Sequence, residues 1–162
     1  MTVSKVMEKM IRFSNGNIHD IEHFVKVWSY AKTIGELENL EPAVQFILET
    51  AAITHDIACP LCREKYRNAN GKLQEQEGPV LVKSFLADTG LKAEQIDRVA
   101  FLVGHHHTLA NVDGPDWQIL LEADYIVNAS ENSYAKETIQ GFWETHAKTA
   151  SGKRMIQEIF GV

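Results

Sequence analysis

A histidine and an aspartate stand side by side at the end of an apolar run, Ala51-Ala52-Ile53-Thr54-His55-Asp56-Ile57. Val44, Leu48 and Ala51 fall on the same helical stripe as His55, so the stripe carries the imidazole inward. An ionised Asp next door is costly to bury without a partner. A cation, a hydrogen-bond network or a metal ion would each compensate. Three further positions raise the same question. His23 precedes Val27 by one turn on an apolar stripe. His106 shares a stripe with Ile96, Val99, Leu102 and Val103. Asp124 lies mid-helix among Leu120, Leu121 and Val127, where it has no free backbone N–H to cap. Taken singly, each reads as a hydrogen-bonded core residue. Together they are a converging nitrogen and oxygen donor set, the composition of a metal site suited to Fe, Mn, Co, Ni, Mg or Zn. Successive helical residues point about 100° apart. His55 and Asp56 therefore reach one ion together only at the edge between them or where the helix ends. Pro60 disfavours helical geometry at Cys59 and places that end near Ile57 or Ala58.

The elements that must hold these residues read as helices throughout. The first spans about Thr2 to Phe13, followed by a Ser14-Asn15-Gly16-Asn17 turn. The second runs from His19 or Asp20 to about Leu40. Its two stripes, Val27-Tyr30-Ile34-Leu37 and Ile21-Phe24-Trp28-Ala31, place it centrally. Pro42 suits the first turn of a helix from about Ala43 to Asp56. A polar, basic loop from Cys59 to about Lys72 is expected next, carrying Arg63, Lys65 and Arg67. Further helices follow over about Gln74 to Asp88, Ala93 to His107 and Asp116 to Ala129. Another, capped by Ser130 or Asn132, runs through Trp143 to about Thr149, and the last covers about Gly152 to Phe160. No segment has the period-2 alternation of a strand. The expectation is an all-α, single-domain helical bundle over residues 1–162, with its core about 18–128.

At 162 residues the chain can bury a proper core. Its formal charge of -6 argues against general nucleic-acid binding. No apolar stretch approaches the ~20 residues that span a bilayer, and Met1 to Phe13 is amphipathic rather than signal-like. The two cysteines, Cys59 and Cys62, are too few for a disulfide framework and lack a second pair for a zinc tetrad. A cytoplasmic setting is expected. No Gly-rich phosphate loop is present.

The ordered set His23, His55-Asp56 and Asp124 resembles the HD-domain metal-dependent phosphohydrolases over roughly Ile18 to Asn128. His23-Phe24-Val25-Lys26-Val27-Trp28-Ser29-Tyr30-Ala31 looks like the family's first segment, with Lys26 where many members have Arg. His55-Asp56-Ile57 matches the doublet, and Leu121-Glu122-Ala123-Asp124-Tyr125 is similar to the final segment. The resemblance implies one divalent metal held by His23, His55, Asp56 and Asp124, and a small phosphorylated substrate such as a nucleotide. Asp56 and Asp124 would fix the ion and orient or deprotonate a water, with Lys26 and His106 offsetting phosphoryl charge. Arg63, Lys65, Arg67 and His105 are the expected substrate contacts. Some members hold a second metal through extra histidines. The triplet His105-His106-His107 offers some, but Gln74-Glu75-Gln76-Glu77-Gly78 has none, leaving Glu77 or a water to substitute. Two other readings stand beside hydrolysis: a two-iron oxygenase and a non-catalytic metal or nucleotide sensor. Periodicity selects neither the metal nor the oligomeric state.

Overall fold

The computed structural model describes all 162 residues and contains nine α-helices: α1 Val3–Phe13, α2 Ile18–Leu37, α3 Pro42–Thr54, α4 Cys59–Tyr66, α5 Gly71–Leu86, α6 Ala93–Val103, α7 Pro115–Glu131, α8 Lys136–Thr145 and α9 Ala150–Phe160. There is no strand. Local chemistry sets most boundaries. Asn17 accepts the Asp20 N–H to start α2, and Asn70 accepts the Leu73 N–H to start α5. Prolines open α3 and α7, where a missing N–H costs nothing.

α2, α3 and α7 pack on one another and form the centre of the molecule. Val27, Ala31 and Ile34 of α2 meet Leu48, Ala51 and Ala52 of α3, with Leu120, Ala123 and Val127 of α7 closing the group. α6 lies against α3 and carries α5 on its other side, and α8 and α9 pair beside α7. One continuous core draws side chains from every helix except α4. No helix is long and apolar enough to cross a membrane.

Three boundaries differ from the expectation. The segment from Cys59 is a helix, not a loop. α3 ends at Thr54, earlier than the expected Ile57 or Ala58, and Cys59 is helical: Pro60 sits in the first turn of α4 and starts a new helix. Arg67 then terminates α4 in the left-handed conformation, φ 55°. α6 stops at Val103, so His105, His106 and His107 lie in the turns beyond Gly104 rather than on a helical stripe. α7 continues through Ser130 to Glu131, and α8 begins only at Lys136. A positive φ at Ser133 breaks the chain between them. The longer α7 adds a carboxylate, Glu131, to the face that carries Asp124.

Candidate metal centre

Four stretches deliver the central side chains. His23 comes from the second turn of α2. His55 and Asp56 come from the end of α3, His55 at its C-cap. Asp124 comes from the middle of α7, and His106 from the turn after α6. His55 is fully buried, and His23, His106 and Asp124 are buried beside it. His23 Nε2 stands 3.2 Å from His55 Nε2, 3.4 Å from an Asp56 oxygen and 3.3 Å from Asp124 Oδ1. His55 Nε2 is 3.6 Å from Asp56 Oδ1 and 3.4 Å from Asp124 Oδ1. The four expected metal ligands thus surround one small volume.

The outer nitrogens of the rings decide what the inner ones offer. His23 Nδ1 lies 2.9 Å from Glu131 Oε2, and His55 Nδ1 lies 2.8 Å from the Ala52 carbonyl. These acceptors assign each ring proton to Nδ1 and leave an Nε2 lone pair facing inward. Two such lone pairs at 3.2 Å, with two carboxylates, repel unless a proton or cation lies among them. Without an ion, protons take that place. Burial works against a charged His23. The hydrogen bond that His23 donates to Asp124 and the charge of Asp56 outweigh it and raise the pKa to about 9. Burial likewise opposes ionisation of Asp56 and Asp124, yet the surrounding histidines hold both below the usual carboxylate range. Such a donor set, with its histidines oriented by a carboxylate and a carbonyl behind them, fits a divalent ion.

His106 belongs to the cluster by a different route. Its Nε2 is 3.4 Å from Asp56 Oδ1 and 3.1 Å from Gln74 Oε1, while Nδ1 is 2.7 Å from the Val103 carbonyl. The Gln74 amide nitrogen donates to the Ala69 carbonyl at 2.6 Å, which fixes Oε1 toward the histidines. His107 Nε2 meets the same oxygen at 3.2 Å. Its ring lies so close to Gly71 that a Cβ there would come within 2.6 Å of it. Asp56, His106 and His107 form a second possible metal group beside the first. Gln74 occupies the place expected for Glu77 or a water. Glu77 instead faces away, bonded to Lys65 and Tyr66.

The remaining expected residues divide. Arg63 lines a polar cavity next to His23 and Asp56, and its guanidinium is held by the Asp20 carboxylate. Lys26 reaches the site only through Glu131, at 3.1 Å. Three others are not brought to the cluster. Lys65 pairs with Glu77 at 2.7 Å, because α4 turns it to the α5 side. Arg67 is exposed at the end of α4. His105 stacks on Phe101, meets Trp117 edge-on and binds the Phe101 carbonyl through Nδ1. Its place on the outer side follows from the early end of α6. Both cysteines are buried and unbridged, and burial pushes each thiol pKa up.

The HD domain family matches this chain over residues 20–153. A solved structure, a predicted HD superfamily hydrolase from an uncultured Thermotogales bacterium, superposes with a TM-score of 0.72 at 18% sequence identity. The alignment covers 98% of this chain and 84% of that one. At that identity the likeness speaks for the fold. No curated protein matches the chain.

Proposed function

The chain belongs to the HD domain family, and from that premise we propose that it is a metal-dependent phosphohydrolase acting on a small phosphoester. One observation carries the reading. Two inward Nε2 lone pairs converge with two carboxylates, each nitrogen lying 3.2–3.6 Å from the other nitrogen and from an oxygen of Asp56 and of Asp124. His23, His55, Asp56 and Asp124 would hold one divalent ion, drawn from Fe, Mn, Co, Ni, Mg or Zn. A related solved structure carries the name of predicted hydrolase, which agrees with the reading.

When bound, the ion supplies Lewis acidity at a phosphoryl oxygen and a water of lowered pKa. The protein supplies position and proton transfer. A carboxylate oxygen of Asp56 or Asp124 takes the proton of the attacking water. The water oxygen forms a bond to phosphorus as the ester P–O bond breaks, its electron pair leaving on the alcohol. Asn128 Nδ2 donates to Asp124 Oδ1 at 2.8 Å and fixes that carboxylate. His106, bonded outward to Val103 and inward toward Asp56, is the group able to return a proton to the departing alcohol. Arg63, its charge shared with Asp20, is the one lysine or arginine lining the polar side of the site.

Metal-stripped protein reloaded with each of these ions and offered phosphoesters should show turnover that Asp56→Ala abolishes. A second reading rests on the Asp56–His106–His107 group, which favours a two-iron oxygenase. Two iron equivalents with oxygen uptake and no phosphate release would select it. Tight metal binding without turnover of any kind would select a sensor.

A further inference from the structure

The ligand cluster stands between two cavities that differ in their lining. One, about 210 Å³, is polar and lies on the His23 and Asp56 side, against Asp20 and Arg63. The other, about 240 Å³, lies on the Asp124 and His106 side. His107 and Asn128 join Asp124 and His106 on its inner side, its outer wall is Leu109, Leu121, Tyr125, Tyr134 and Phe142, and no lysine or arginine lines it. Tyr125 and Phe142 stack in parallel at 3.6 Å, and Tyr134 meets Tyr125 edge-on at 5.8 Å. Tyr134 and Leu109 are large apolar side chains left exposed at its edge, 39% and 42%. Asn128 lines both cavities.

Charge limits what the cluster can hold. Arg63 is paired with Asp20, and Lys26 with Glu131. Asp56 and Asp124 would balance one divalent ion. Little positive charge is then left over, so one phosphoryl group can be accommodated but a polyphosphate chain would lie without counter-charge. Aromatic walls take flat rings by stacking. The cavity is smaller than the roughly 300–1,000 Å³ of drug-sized sites, which fits one ring system.

Resting on the phosphohydrolase reading, we propose that the cavity bounded by Tyr125, Tyr134, Phe142 and Leu109 is the subsite for the alcohol part of a phosphomonoester, and that this part carries a flat, uncharged ring. An aryl group and a nucleoside base share that chemistry.

Tyr134→Ala and Leu109→Ser change exposed positions outside the ligand cluster and test the subsite. Kinetics of the reloaded protein would use phenyl phosphate, a nucleoside 5′-monophosphate, the matching triphosphate and glycerol 3-phosphate. In Tyr134→Ala, KM for the ring substrate should rise roughly tenfold with kcat held, and KM for glycerol phosphate should not move. Whichever ring ester wild type prefers identifies the ring, and the triphosphate should be the poorer nucleotide. Equal changes for ring and glycerol esters, or preference for the triphosphate, overturn the proposal. A second readout needs neither metal nor turnover. Phenol and a free nucleoside are titrated into metal-free protein while tyrosine ring resonances are followed. Saturable shifts lost in Tyr134→Ala with no hydrolysis of any ester would keep the subsite and reject the hydrolase. Shifts with neither compound would reject the subsite whatever the turnover.

Discussion

His23 is bonded outward to the Glu131 carboxylate and inward to Asp124 and Asp56, and without an ion it keeps its proton up to about pH 9. A metal needs the neutral Nε2, so loading at pH 7 must expel that proton. Affinity should therefore climb about tenfold for each pH unit gained below about 9, and level off above it. Competition with a chromophoric chelator at pH 6, 7 and 8 measures the slope; a flat profile would show that His23 is not a ligand. At this scale the sequence was most informative. His23, His55 and Asp124 stood out as polar residues on apolar stripes and Asp56 as the carboxylate beside His55, and the structure brings all four together. Glu131 and Gln74 gave no such signal. Glu131 lies at a helix end, and Gln74 opens a polar run, so only tertiary packing selects them. Spacing held one clue: Glu131 follows Asp124 by seven residues, two turns along the same face.

Helix ends, rather than helix interiors, decided which side chains reach the site. An apolar stripe running on to His106 pointed to one helix over residues 93–107, yet Val103 ends it. His105 then falls outward between Phe101 and Trp117, and His106 and His107 converge on Gln74. Proline at position 60 read as a stop but serves as the start of α4, since both roles use the same fixed φ. The junction before α9 shows how tightly an end can be held. Buried Glu122 accepts the N–H groups of Lys148 and Thr149 at 2.7 and 3.0 Å, together with the Thr149 hydroxyl. A Cβ at Gly152 would lie 2.0 Å from Glu122 Oε2. Gly152→Ala should therefore destabilise the fold by about 1–3 kcal/mol through overpacking. Urea denaturation would report it, with metal affinity per folded molecule unchanged. Equal midpoints for variant and wild type would mean that the clamp yields freely.

For the molecule as a whole, the all-α bundle was legible because every long segment carried helical periodicity and none alternated like a strand. The ligands close the bundle by joining α2, α3 and α7, whose mutual packing makes its centre. An ion bound only in the folded state adds stability by mass action, about 2.7 kcal/mol at a hundred times its Kd. At roughly 2–4 °C per kcal/mol for a chain of this size, chelation should lower Tm by about 5–10 °C. Differential scanning calorimetry with and without chelator would check this, and His55→Ala should remove the difference. The wide sequence separation of the ligands also has a consequence in time. As the chain is synthesised, His23, His55 and Asp56 emerge well before Asp124. The nascent chain holds only a partial donor set until α7 has left the ribosome and docked. If these residues hold the proposed ion, its capture is deferred to a late stage of biogenesis, and a product cut short before α7 would bind it only weakly.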